Sequence, residues 1–155
     1  MSEPDPDDRP DPENPEHAEV EAANAAFYHA FESADLDAMQ ELWLVDPETL
    51  CVHPGALPVR GTSAINRSWA LIMANTPYIQ FFLTDVEVSV LAAPAPVASV
   101  TCTENVLTAD EHTGPDTFGG ARAIATNVFV HTGQGWRLWI HHASPVLSGT
   151  NHDDA

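Results

Sequence analysis

The chain reads as an α+β domain in which three N-terminal helices precede a long antiparallel sheet. Helical periodicity is confined to the residues before Pro77, and everything after it alternates with period two between turn-rich breaks. No helix-periodic segment separates the later strands, so a βαβ architecture with a parallel sheet is excluded. At 155 residues there is room for one domain and one core.

The first helix is predicted to start at Asn14-Pro15-Glu16. Asn is a good N-cap, Pro suits the first helical position, and Glu faces the positive end of the helix dipole. Val20, Ala23, Phe27, Ala30 and Phe31 then form an apolar stripe running to about Ala34. Asp35 caps a short second helix that carries Leu36, Met39, Leu42 and Trp43 on one face. A brief apolar strand, Thr49 to His53, is stopped by Pro54-Gly55. Thr62 is the expected cap of a third helix with Ile65, Trp69, Ile72 and Met73 on one side. Strands follow over about 79–91, 97–108, 120–131 and 136–145. Several are apolar on both faces, as where Ala125, Asn127 and Phe129 alternate with Thr126, Val128 and Val130. Helices cover one face of such a sheet, and a second subunit is the expected cover for the other.

Residues 1–14 alternate proline with acidic residues and hold almost nothing apolar, so the head is expected to be disordered. The domain is expected over 15–147, with a flexible tail over 148–155. Cys51 and Cys102 each sit in an apolar strand and read as buried free thiols, with no CxxC pair to suggest a metal or redox site. The formal net charge is -18, and the five cations are all arginine: Arg9, Arg60, Arg67, Arg122 and Arg137. Such a surface repels phosphate backbones and anionic lipid heads, which argues against nucleic-acid and membrane partners. No apolar run approaches the roughly 18 residues of a membrane span, and no basic region followed by an apolar one opens the chain, so the expected location is cytoplasmic.

In order and wording, the segments Leu50-Cys51-Val52-His53-Pro54-Gly55, Val59-Arg60-Gly61, Val100-Thr101-Cys102-Thr103-Glu104-Asn105, Ala125-Thr126-Asn127-Val128-Phe129 and Trp136 to Pro145 resemble the nuclear transport factor 2-like superfamily, in its SnoaL-like and ketosteroid-isomerase-like branch. The resemblance spans about Val20 to Val146. It implies a cone-shaped curved sheet packed on the three helices, an apolar pocket on the concave face, and homodimers across the convex face. It leaves function open, since the fold hosts isomerases, cyclases, dehydratases and non-catalytic modules.

Within such a pocket, strand alternation places Glu104 with Ala98, Val100, Cys102 and Val106, an acid on an apolar face. Desolvation there raises a carboxylate pKa toward the range of a general base; the competing reading pairs Glu104 with an arginine such as Arg122. His53 ends the strand that the resemblance sets at the pocket mouth, where an imidazole with an ordinary pKa near 6.5 can shuttle a proton or simply close the turn. On the last strand His142 shares a face with Trp136, Leu138, Ile140 and Ser144, and it is the histidine expected to enter the pocket; a bulge would substitute His141. Asn127 and Phe129 fall on one face, where Asn127 can orient a ligand oxygen. Tyr28, Trp43 and Trp69 are candidate aromatic walls, or core.

Family members of known mechanism combine a carboxylate base with a tyrosine or second acid. This chain has only Tyr28 and Tyr78, and its sequence does not place an aspartate at the matching strand positions, so that assignment does not carry over. No metal-ligand spacing, Gly-rich nucleotide loop, GxSxG elbow or HExxH is present, and neither metal nor cofactor is expected. The leading expectation is a protein that binds an apolar or carbonyl-bearing small molecule and moves a proton on it, as a cofactor-independent isomerase, cyclase or dehydratase, with catalytic roles for Glu104, His53 and His142. Its rival is a non-catalytic dimeric module that binds a ligand or a protein.

Overall fold

A computed structural model describes residues 15–91, 94–109 and 118–147. The acidic head, with the proposed Asn14 cap, and residues 148–155 lie outside the described residues. Three helices, α1 (Pro15–Glu32), α2 (Leu36–Leu42) and α3 (Thr62–Ala74), pack against six strands: β1 (Leu50–Val52), β2 (Val59–Arg60), β3 (Ile79–Leu91), β4 (Val97–Ala109), β5 (Phe118–Thr132) and β6 (Gly135–Pro145). The sheet runs β2-β1-β6-β5-β4-β3; the long strands form an antiparallel meander, and β1 joins β6 in parallel. Period-two alternation located the four long strands closely. The two-residue strand β2, too short to show a period, escaped it.

Local chemistry sets the helix boundaries. After α1 the chain turns through Ala34 at φ 54, an uncommon left-handed conformation for a residue with a Cβ. Asp35 then caps α2 as expected, accepting from the Ala38 N–H at 3.1 Å. Helix α3 departs from expectation. Its N-cap is Gly61, at φ 91 and with no side-chain cap bond, while Thr62 is already helical and its hydroxyl turns back to the α2–β1 connection. There Thr62 Oγ1 donates to the Leu44 carbonyl at 2.6 Å and accepts from the Asp46 N–H at 2.9 Å. The threonine thus ties a loop to a helix instead of capping the helix.

Two β-bulges bend the sheet. One lies between Thr84 and Glu87 in β3, where Asp85 takes φ 54. The other lies in β6: Val128 faces Ile140 and Phe129 faces Leu138, so Trp139 is the extra residue. Bending turns one face into a concavity, and the helices bury their apolar sides in it: Val20, Phe27, Met39, Trp43, Ile65 and Trp69 meet Val88, Val100, Ala125, Phe129 and Leu138. Both cysteines are free and buried. No helix of the described residues is long and apolar enough to cross a membrane.

Thr62→Val removes both the hydrogen bond to Leu44 and the acceptor for Asp46, and is expected to lower stability by about 1–3 kcal/mol. Thr62→Ser, which keeps the hydroxyl, should lose much less. Urea unfolding midpoints of the two variants check the difference.

Candidate functional site

The helix α1 stripe contains two polar groups, Asn24 and Tyr28, one turn apart, and both are buried. Opposite them three strands present one inward polar side chain each: Glu104 from β4, Asn127 from β5 and His141 from β6, all buried. Tyr28 donates its hydroxyl proton to Glu104 Oε2 at 2.6 Å. Asn127 Nδ2 donates to Asn24 Oδ1 at 2.8 Å and to the Tyr28 hydroxyl oxygen at 3.2 Å. Both amide protons of Asn127 are thereby committed, so Oδ1 faces His141 and accepts from Nδ1–H at 2.5 Å. Asn24 completes the group by hydrogen-bonding the Cys102 thiol.

This network borders a cavity of about 300 Å³ lined by the aromatic rings of Phe27, Tyr28, Phe31, Trp69 and Phe81, and by Glu104, His141 and His53. The rings interlock edge to face: Trp69 meets Phe31 at 4.9 Å and His53 at 4.8 Å between centroids. His53 is half-buried and reaches Ser68 on α3, Nε2 to Oγ at 3.1 Å. Ser68 gives its own proton to the Ile65 carbonyl at 2.7 Å, so it accepts from His53 Nε2–H.

The apolar surroundings set the charge states. Burial raises Glu104 above the usual carboxylate range, opposed in part by the Tyr28 hydrogen bond. Burial together with Glu104 lifts the Tyr28 hydroxyl well above its ordinary value, so it stays protonated. Burial, aided by the neighbouring His53 and His142, pushes His141 down to about 3, and burial lowers His53 as well.

The structure thus gathers Glu104, Tyr28, His53, Trp69 and His141 around one cavity, with Asn127 directly behind them. It does not place His142 there. The Trp139 bulge re-phases the last strand, so His141 turns inward and His142 is exposed on the opposite face. Trp43 and Phe129 are buried in the core and do not line the cavity; Trp43 packs beside Leu138 instead. Glu104 has the Tyr28 hydroxyl as its hydrogen-bond donor, while Arg122 alternates to the exposed side of β5 and borders the cavity from there. Sequence reasoning missed Asn24 and Ser68. Asn24 had a signal: a polar residue one turn from both Val20 and Tyr28 interrupts an apolar stripe. Ser68 had none, since a serine beside a helix face looks like surface. Among the described residues no group of three His, Cys, Asp or Glu side chains is arranged to hold a metal.

A model of the SnoaL-like domain family matches residues 20–148. The chain is similar to a proposed dehydratase of the nuclear transport factor 2-like family from Streptomyces avermitilis: 46% identity, TM-score 0.79, covering 87% of this chain and 99% of that one. It is also similar to a proposed calcium/calmodulin-dependent protein kinase type II association domain from Thiobacillus denitrificans, at 30% identity and TM-score 0.66, over 82% of this chain and 94% of that one. A ketosteroid isomerase-like protein from Erwinia carotovora atroseptica shares the fold, with 20% identity and TM-score 0.67 over 86% and 98% of the two chains. None of the curated proteins matches the sequence.

His141 titrates near 3 when folded against an ordinary 6.5, so between these values the unfolded chain takes up a proton that the folded chain refuses. Its contribution to stability is complete above pH 6.5 and is lost as the pH falls toward 3, at about 1.4 kcal/mol per pH unit. His141→Phe is expected to flatten the stability profile in that window relative to the unmutated protein, on top of a constant loss from the broken Asn127 bond. Urea unfolding at a series of pH values measures the difference in slope.

Proposed function

The chain belongs to the SnoaL-like domain family, and from that premise we propose that it binds a small, largely apolar ring in the concave cavity and moves a proton on it with its own side chains, as an isomerase or a lyase. One observation carries this reading: a carboxylate, Glu104, is buried at the edge of an apolar cavity with a tyrosine hydroxyl for its partner. An acid held this way is raised toward working pH, where proton exchange with a bound molecule is fastest. In this reading Glu104 exchanges the proton, His53 at the mouth serves as the second acid–base group, and His141, held in place by Asn127, orients the ligand. The likeness to the Streptomyces avermitilis protein supports a lyase of the dehydratase type over the other chemistries of the fold.

A second reading is favoured by the outer face. Phe82, Ile124 and Leu91 stand 53%, 45% and 71% exposed on the side of the sheet away from the helices. We propose that this face is covered by a second copy of the chain, which would serve a non-catalytic binding module equally well. Light scattering reads the mass, and Ile124→Asp should halve it.

Glu104→Gln separates the two readings. Because burial raises the Glu104 pKa, stability linked to it is full below the ordinary carboxylate range and declines as the pH rises through the raised value. The glutamine variant escapes that decline, so at pH 8 it is expected to be at least as stable as the unmutated protein. An enzyme would nevertheless lose about 100-fold or more of its rate of deuterium exchange into a panel of cyclic ketones and β-hydroxy ketones in heavy water. An unchanged rate, or no exchange by the unmutated protein, would sink the catalytic reading and leave the binding module.

A further inference from the structure

The hydrogen-bond directions around the cavity restrict what it can hold. Asn127 fixes His141 as the tautomer with its proton on Nδ1, so the atom left for the cavity is Nε2, a bare lone pair. Ser68 fixes His53 the other way round, with the proton on Nε2; Nδ1 is left as an acceptor, and the Cys51 sulfur lies 3.9 Å from it and 3.6 Å from Nε2. Tyr28 gives its one proton to Glu104 Oε2, receives from Asn127 and stands 3.6 Å from the Cys102 sulfur, so it has no proton left for the cavity. In the ionised carboxylate the second oxygen of Glu104 is another acceptor. The Trp69 indole N–H has no hydrogen-bond partner among the described residues, but its nitrogen is buried and exposes almost no surface to a ligand. Pro54 and Pro145 at the rim have no amide proton to offer. Arg122 is exposed and borders the cavity from the outer side of β5.

We infer that the inner cavity, which offers three acceptors and no donor when Glu104 is ionised, selects a neutral ring bearing a hydroxyl group over a ring whose polar atoms only accept, such as a simple ketone or ether. A hydroxyl proton satisfies a lone pair of His141, His53 or Glu104, whereas a carbonyl oxygen placed among them meets only other acceptors and leaves buried groups unpaired. The aromatic walls accommodate the ring itself by edge and face contacts. The cavity lies at the small end of the usual range for ligand sites, which suits one or two fused rings. This assignment rests on the reading of the cavity as a small-molecule site and narrows the ligand within it.

Calorimetric titration of the full chain with 1-tetralol, 1-tetralone, the methyl ether of 1-tetralol and 1-aminotetralin tests it, since the four differ in one polar group. The alcohol is expected to bind about tenfold or more tighter than the ketone and the ether. Glu104→Gln, which introduces an amide donor, is expected to narrow that margin toward parity. A ketone or ether binding as tightly as the alcohol, the absence of binding by all four, or an amine binding tighter than the alcohol would each overturn the assignment, the last by revealing a site for a cation. Failure of the proton-transfer reading is distinguishable, because it appears as unchanged exchange rates in Glu104→Gln whatever the order of binding.

Discussion

The amide of Asn127 is the constraint on which the rest of the molecule depends. It is completely buried and makes three hydrogen bonds, to a residue of β6 and to two of α1. A buried amide left unpaired costs more than a satisfied one contributes, so each partner must arrive at its position for any of them to be tolerated. That requirement fixes α1 over the centre of the sheet with Asn24 and Tyr28 pointing down. It also fixes the rotation of the His141 ring and, through Tyr28, the place of Glu104. An apolar interface of equal area would hold the helix on the sheet without specifying which residue faces which.

The same network accounts for the character of the cavity. Each polar group along its floor is already engaged on one side, and the free sides look into a hollow walled by phenyl and indole rings. Water inside it has few partners, and the charged forms of the titratable groups are disfavoured. The imidazoles therefore stay neutral, and the carboxylate holds a proton more readily than an ordinary one. These states follow from desolvation and from the direction of neighbouring dipoles, not from ion pairing.

Much of this was legible in the sequence because strands announce themselves by alternation. The four long strands, the order of elements and the inward aspect of Glu104 and Asn127 all follow from period two, which needs no knowledge of the tertiary structure. What alternation cannot show is a break in itself. Trp139 adds one residue to β6 without leaving any sign in composition, so the reading of His142 as the inward histidine failed by one position. Thr62 failed for a related reason: the preference of threonine for caps is a local rule, and here a carbonyl from Leu44 competes for the hydroxyl. Trp43 and Phe129 have the right faces and the wrong depth, since facing inward does not distinguish a wall of the hollow from the packing behind it. Asn24 was visible as an oddity, yet its meaning depended on Asn127, which lies 103 residues away.

The paired histidines next to the Trp139 bulge have a consequence for how such a chain can change over generations. Loss of the Trp139 codon would remove the extra residue and leave His141 opposite Asn127, whereas loss of the His141 codon would bring the His142 imidazole into its place. The hollow would keep an imidazole in either case. The second loss would also bring Ser144 to the inward place of Ala143, and both are small enough to sit on either side of a sheet. This stretch therefore combines an irregularity of backbone, ordinarily fragile toward insertion and deletion, with a repeat of side chains that tolerates it.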